Sequence, residues 1–363
     1  MELGLLVLAG GYSSRMGQDK AQLTWGSSSF IEHTLEKAAA FGFIERLAAI
    51  NSGEDFYKKL PARLVYDIYP HQGPLSGLHA GLKASDSEYV FVLSCDVPLF
   101  DFSLVNRLIK RVQATDADIC IFSCRQKWQP LFGIYRKTCV QPIETMLQQG
   151  QHRLRDLFPL VKTEFVAADT ETSAFFNVNT PEELCIARAR AVNAQRKIPC
   201  VFIAASRSGT GKTTFICRLL EELKQRKLQT AVVKSDSHGF AMDQEGKDTW
   251  KFSQSGASAV AIVSPTGYAI LQETREKEDL MKVAEKISDV DLILIETRSK
   301  GLFPALEIER EGYTTERITK PSELAGIITD REECPQDGLK ILPLDHPAAT
   351  ADYICQLIDW QEN

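Results

Sequence analysis

No apolar run in this sequence approaches the roughly 20 residues that a helix needs to span a bilayer. Nor is there a glycine, proline or polar tract long enough to stay disordered. Positive charge is in short supply: 42 Lys and Arg stand against 48 Asp and Glu, a net charge of −6. That balance argues against a broad surface for nucleic acid or a membrane and leaves room only for a focused phosphate pocket. A cysteine framework is missing too. The nine cysteines are odd in number and lack the paired spacing of a zinc site or a disulfide scaffold, so reduced thiols in a cytoplasmic protein are the expectation. Cys120 and Cys124, the closest pair, read as ordinary thiols. The apolar opening Glu2 to Ala9 has no basic residues ahead of it and runs into Gly10-Gly11, so it reads as a first strand rather than a signal peptide.

What is present is the composition of a folded globular chain, 44% hydrophobic and 25% charged, and 363 residues exceed what one core usually organises. Short β-rich runs alternate with helix-like segments: LGLLVLAG, a helix from Phe30 to Phe41, RLAAIN, YVFVLSCD, a helix from Phe102 to Ala114, and ADICIFSC. The alternation restarts at Pro199 with PCVFIAAS, a helix from Lys212 to Arg226, QTAVVKSD, a helix around Asp248 to Ser255, SAVAIVSP and DLILIET. This rhythm predicts an α/β chain of two doubly wound domains, 1–195 and 196–363, with no repeat relating them.

Leu8-Ala9-Gly10-Gly11 follows the first strand, and the segment continues through Arg15, Met16, Gly17 and Asp19 to Lys20. Adjacent glycines let backbone amides approach phosphate oxygens, and Arg15 and Lys20 can neutralise a polyphosphate. Asp96 closes the apolar run YVFVL, where open α/β sheets place ligands and where a carboxylate can hold Mg²⁺. Helix capping ahead of Pro98 is the competing reading of Asp96.

The LAGG string with Arg15-Met16-Gly17 and Asp19-Lys20 resembles the molybdenum cofactor guanylyltransferases of the MobA type, nucleotidyltransferases with a Rossmann-like fold, over roughly residues 3 to 190. Three further stations match in order: Asn51; Asp67 with Gly73-Pro74-Leu75-Ser76-Gly77; and Asp96 itself. The resemblance implies that Leu8, Ala9, Gly10, Gly11, Lys20, Asn51, Asp67, Gly73, Pro74, Leu75, Gly77 and Asp96 form a GTP site. Catalysis falls to Arg15, Lys20 and Mg²⁺-bound Asp96. On the acceptor side it implies Asn177 and Asn179 of NVNTPEEL and, further off, Gln129, Arg153 and Arg155.

The implied reaction moves GMP from GTP to the terminal phosphate of molybdopterin, with or without its molybdenum, and releases pyrophosphate. That acceptor phosphate is already ionised, so no general base is required and charge screening becomes the main task. A cytidylyltransferase acting on the same pterin, a sugar-phosphate nucleotidyltransferase, and a GTP-dependent cofactor carrier remain alternatives. Gly10, where the cytidylyl family usually has alanine, favours GTP.

In the second half, Ser206 to Thr214 (SRSGTGKTT) reads as a P-loop between a strand and a helix. Ser208, Gly209, Thr210, Gly211, Lys212, Thr213 and Thr214 would cradle phosphates, and Thr213 and Glu296 would face Mg²⁺. Ser206 stands where the pattern has its first glycine. The series resembles the MobB-type adaptor of molybdopterin guanine dinucleotide biosynthesis over roughly residues 199 to 360. It departs from that pattern at Ser235, Ser237 and Thr297, changes that bear on hydrolysis more than on binding. Lys234, Asp236, His238, Asp243 and Asp248 lie in a polar loop suited to facing the γ-phosphate, while Thr319-Lys320-Pro321-Ser322 only partly matches a base-reading loop. Molybdoenzyme apoproteins and their chaperones are the implied partners, and pairing into a homodimer is compatible with the resemblance.

Overall fold

The structure is a computed structural model that describes residues 1–9, 12, 13, 18–50, 55–70, 72–170, 172–236, 239, 243–298, 301–314, 316–331 and 338–361. Two compact units divide the chain, Met1–Ala187 and Arg188–Asn363.

The first unit is built on a seven-stranded sheet. Its strands are β1 (Leu3–Leu8), β2 (Arg46–Ile50), β3 (Arg63–Tyr66), β4 (Tyr89–Ser94), β5 (Ile119–Cys124), β6 (Lys127–Arg136) and β7 (Thr163–Ala167). Their order is β7-β5-β6-β4-β1-β2-β3, and β6 alone runs antiparallel to its neighbours. Every residue of β1 is buried, as expected of a central strand covered on both faces.

Alternation along β1 sends Leu3, Leu5 and Val7 into one core and Leu6 and Leu8 into the other. The first core is covered by α1 (Phe30–Ala39) and α3 (Val105–Thr115), the second by α2 (Pro74–Ala84) and α4 (Val140–Gln148). Ser29 and Glu32 form a reciprocal capping box that starts α1. On α2, a Cβ at Gly81 would stand 2.2 Å from Leu6 Cδ2, so a residue without a side chain sets how closely this helix lies on β1.

The second unit has a wholly parallel six-stranded sheet. It comprises β8 (Cys200–Ala204), β9 (Thr230–Lys234), β12 (Leu292–Thr297), β13 (Ala305–Glu309), β14 (Leu324–Thr329) and β15 (Lys340–Pro343), in the order β9-β12-β8-β13-β14-β15. Two helices, α6 (Lys212–Gln225) and α9 (Pro347–Leu357), pack on each other and are joined by Arg226, which pairs with Asp352 at 2.7 Å. The other described helices of this unit are α7 (Asp248–Gln254) and α8 (Leu280–Ala284).

One element departs from the expected series. The run SAVAIVSP does form a strand, β10 (Ala259–Ser264), but it pairs only with β11 (Gly267–Gln272) in a separate antiparallel hairpin. Two-residue chain reversal at Pro265-Thr266 favours this local pairing over a crossover into the parallel sheet.

Helix α5 (Pro181–Asn193) contains the division between units, which falls between Ala187 and Arg188 rather than near residue 195. Its last turns are tied within the second unit: Arg190 pairs with Asp359 at 2.9 Å, and Asn193 Oδ1 accepts from the Cys200 amide at 3.0 Å. No helix among the described residues is long and apolar enough to cross a membrane. No disulfide joins the described cysteines, and Cys120 and Cys124 are buried in the core.

Candidate active site

The site of the first unit lies where parallel strands end. Strand β4 leaves the sheet at Ser94, and two residues on stands Asp96, buried to 8% exposure. Its carboxylate is held from two sides, since Ser94 Oγ donates to Oδ1 at 2.5 Å and the Lys20 ammonium meets Oδ2 at 2.8 Å. Lys20 Nζ also donates to Asn179 Oδ1 at 2.5 Å. Lys20, Asp96 and Asn179, separated by up to 159 positions in sequence, thus form one polar cluster. The Val178 amide donates to the Asp96 carbonyl at 2.9 Å, which ties the NVNT segment to the end of β4.

Three supporting residues were not legible as such in the sequence. Tyr57, buried, donates its hydroxyl to Asp19 Oδ2, and Asp19 Oδ1 accepts from the Ala21 amide at 3.0 Å, so the turn carrying Lys20 is fixed from both ends. Glu183 accepts from the Asn179 amide at 2.7 Å and from Thr180 Oγ1 at 3.2 Å, while its own amide donates to Thr180 Oγ1. That capping box opens α5 and orients Asn179. Ser94 is the third. Only Glu183 had a local signal, the T-x-x-E pattern.

On the donor side, a Cβ at Gly77 would stand 3.1 Å from Leu8 Cδ2 and 3.6 Å from Asp67 Oδ1, so these three expected positions converge. Gly73 caps α2 and Pro74 opens it, both exposed. Leu75 turns its side chain wholly into the core and has only backbone to offer a ligand. Leu8 likewise is a core residue, with Ala9 buried beside it. Gln129 sits at the start of β6, and Asn177, Arg153 and Arg155 are exposed. Gly10, Gly11, Arg15 and Asn51 lie outside the described residues.

No group of three or more His, Cys, Asp or Glu side chains gathers as a metal site among the described residues. A single carboxylate at a sheet edge nevertheless suits Mg²⁺, which keeps several waters and relies on one or two carboxylates plus substrate phosphates. Asp96 would hold it.

In the second unit, the chain leaves β8 through Ser206 to Gly211 and enters α6 at Lys212. Gly209 and Gly211 adopt φ of +81° and +87°, the region glycine alone visits cheaply, and this curls the loop around the helix start. Lys212 is buried and donates to the Arg207 carbonyl at 3.4 Å. Burial holds its ammonium below the ordinary lysine value, opposed by Glu296 and reinforced by Arg298 and Lys234. The strand register sets Glu296 beside Ile203 and Lys234, at the edge where the loop begins. Thr210 is buried, whereas Ser208, Thr213 and Thr214 are exposed. Ser206 Oγ is buried without a partner.

Two of the polar-loop aspartates serve α7 instead. Asp243 Oδ1 accepts from Thr249 Oγ1 at 2.8 Å, and Asp248 pairs with Lys251 at 3.4 Å. Asp236 is exposed, and His238 lies outside the described residues. Thr319 to Ser322 lie on the connection entering β14, ahead of the strand rather than beyond its carboxyl end.

A carboxylate at the end of β4, met by Lys20, and a mixed sheet with helices on both faces are the frame of a nucleotidyltransferase fold. A family model described as the MobA-like NTP transferase domain matches residues 5–164, and one described as molybdopterin guanine dinucleotide synthesis protein B matches residues 201–330. A probable molybdenum cofactor guanylyltransferase of Pelotomaculum thermopropionicum is 35% identical over 198 residues, covering 52% of this chain and 94% of that protein. Its counterpart in Carboxydothermus hydrogenoformans is 33% identical over 188 residues, covering 50% and 92%. The chain belongs to the molybdenum cofactor guanylyltransferase family, and it carries a MobB domain in its second half. Among solved structures, molybdopterin-guanine dinucleotide biosynthesis protein A of Archaeoglobus fulgidus matches at 23% identity and a TM-score of 0.46, covering 51% of this chain and 96% of its own.

Proposed function

We infer that the first unit transfers GMP from GTP to the terminal phosphate of molybdopterin or its molybdenum-loaded form, releasing pyrophosphate and forming the guanine dinucleotide cofactor. The observation that carries this reading is the Lys20–Asp96–Asn179 cluster at the carboxyl edge of β4. Asp67, Gly73 and Gly77 receive the nucleoside, and Lys20 with Arg15 draws the triphosphate in. Magnesium, when bound, screens the α-phosphate and the departing pyrophosphate. Lys20 leaves its carboxylate partner for the phosphates, and Ser94 keeps Asp96 aimed while it does so. Because the acceptor phosphate arrives as an anion, the chain needs no proton-abstracting group; its work is to align two polyanions and neutralise them.

The second unit binds GTP on the 206–214 loop, with Lys212 on the phosphates and Thr213 and Glu296 toward a metal, and assists synthesis or delivery to molybdoenzyme apoproteins and their chaperones. Its β10–β11 hairpin leaves Ile262, Val263, Tyr268 and Ile270 more than half exposed. A lone two-stranded ribbon is marginal in water, so this apolar surface supports a homodimer of the cytoplasmic protein.

Incubating the full chain with molybdopterin, Mg²⁺ and either GTP or CTP tests the reaction. The dinucleotide should form with GTP alone. Product from CTP instead would move the chain to the cytidylyl branch, and no product from either would favour a carrier.

A further inference from the structure

Two strands away from the 206–214 loop, at the same carboxyl edge of the second sheet, stands a carboxylate that the phosphate chemistry above leaves unassigned. Strand β8 delivers the loop, β13 lies beside it and β14 beyond, all parallel. Neighbouring strands lie about 4.8 Å apart, so the end of β14 is roughly 10 Å from the loop, within the reach of a nucleotide from its phosphates to its base. Glu309 pairs with Thr329 at the ends of β13 and β14, so the next residues, Arg310 and Asp330, leave the sheet side by side.

Arg310 joins this edge to the loop. A Cβ on Gly211 would stand 3.7 Å from Arg310 Nη1, and Arg310 Nε lies 3.6 Å from Asp330 Oδ2. One guanidinium thus bridges the loop's last glycine and the Asp330 carboxylate. That carboxylate is aimed by the backbone, since its Oδ1 accepts the Glu311 amide at 2.8 Å, and it remains exposed. On the other side, the Arg310 guanidinium lies over the Tyr313 ring, 5.1 Å from its centre. The turn is fixed by the Tyr313 and Thr314 amides, which donate to the Arg310 carbonyl at 3.1 and 2.9 Å. Tyr313 itself is 54% exposed, which leaves aromatic surface open to a planar partner.

The geometry points to Asp330 as the residue that reads guanine in the second unit, with the base laid on Tyr313 and Arg310 spanning to the phosphates. At neutral pH a carboxylate offers acceptors alone. Guanine presents two donors side by side, N1–H and the 2-amino group, which a carboxylate takes as a pair. Adenine has a lone pair at N1 and xanthine a carbonyl at C2, and each would face a lone pair on Asp330. Thr319 to Ser322 do not supply this contact: they lie ahead of β14, and the Thr319 amide already donates to Glu307 at 3.0 Å. The assignment rests on the nucleotide binding proposed above for the 206–214 loop.

The full chain and its variants are titrated calorimetrically with GTP, ITP, which lacks the 2-amino group, and XTP, which has a carbonyl in its place. Asp330→Asn keeps an oxygen for the Glu311 amide and turns the other acceptor into a donor, so its melting temperature should match the wild type. One of the two GTP sites should weaken about tenfold or more, as loss of a paired base contact does, and an XTP site absent from the wild type should appear. Adding Lys212→Ala should remove that new site. Tyr313→Ala should weaken GTP and ITP alike at this site, about tenfold, and leave their ratio unchanged. Unaltered GTP binding in Asp330→Asn, or no gained XTP site, overturns the proposal, as does a second wild-type site that holds XTP as tightly as GTP. A wild type with a single GTP site that Lys212→Ala leaves intact fails differently: it sinks nucleotide binding by the loop, and the base reader with it.

Discussion

Replacing Glu183 by alanine tests how the site's lysine is aimed. The Glu183 carboxylate accepts the Asn179 amide at 2.7 Å and closes the capping box with Thr180, and Asn179 in turn receives Lys20. Thr180 still caps the amide of residue 183, so what the capping box loses is the hydrogen bond from Thr180 Oγ1 to the carboxylate, worth about 1 kcal/mol. Leaving the Asn179 amide without its acceptor adds about 1 kcal/mol, the low end for an unpaired group, because Asn179 is only half-buried. For a domain of this size each kcal/mol lowers the melting temperature by roughly 2–4 °C, so Glu183→Ala should melt roughly 4–8 °C below wild type.

The kinetic effect should be larger in proportion. A displacement of about 1 Å at a positioned group costs on the order of 100-fold, so kcat for pyrophosphate release should fall by roughly 10- to 100-fold. Glu183→Gln keeps an acceptor oxygen and should stay within about 2 °C and threefold of wild type, since glutamine also closes such a box. Calorimetry and a coupled pyrophosphate assay read both quantities. Wild-type melting and turnover in Glu183→Ala would refute the idea that the helix cap braces the site.

Isothermal titration with GTP should count two sites in the wild type and one in Lys212→Ala, while a second site surviving that change would detach the 206–214 loop from nucleotide binding. Replacing Val263 and Tyr268 on the exposed hairpin by aspartate should shift sedimentation from dimer to monomer without lowering the first unit's melting temperature; an unchanged dimer would mean pairing occurs elsewhere. His79 is wholly buried with neither ring nitrogen hydrogen-bonded. Burial holds it below the ordinary histidine value, opposed by Glu144 and reinforced by Lys83. The unfolded chain therefore takes the proton more readily, so His79 contributes stability that is full above pH about 6.5 and lost as the pH falls through that value. Melting of the first unit between pH 7 and 5 should accordingly flatten in His79→Leu, and an unaltered slope would assign the acid loss to other groups.

Much of this site could be read from the chain because its parts stand at strand ends. The run YVFVL announces β4, and a central strand of a parallel sheet delivers whatever follows it, here Asp96, to the ligand edge. Lys20 and Asn179 were nameable through family resemblance, but the meeting of the Lys20 ammonium with both Asp96 and Asn179 depends on contacts across 76 and 159 positions that no local pattern encodes. Tyr57 gave no signal, since its partner Asp19 is 38 residues away and its ring reads as core. Leu75 was legible as a motif residue but not as a core side chain, because helical phase on α2 turns it inward. The SAVAIVSP run looked like a sheet strand by composition. Its place in a separate hairpin follows from the short Pro265-Thr266 reversal, a turn signal that outweighs apolar content. Antiparallel β6 came only from pairing register.

The most direct test of the division of labour compares Asp96→Ala with Lys212→Ala in dinucleotide synthesis from GTP and molybdopterin. Asp96→Ala should abolish product while Lys212→Ala retains it. Synthesis that survives Asp96→Ala, or fails in Lys212→Ala with the first unit still folded, would contradict the placement of the transferase at the end of β4.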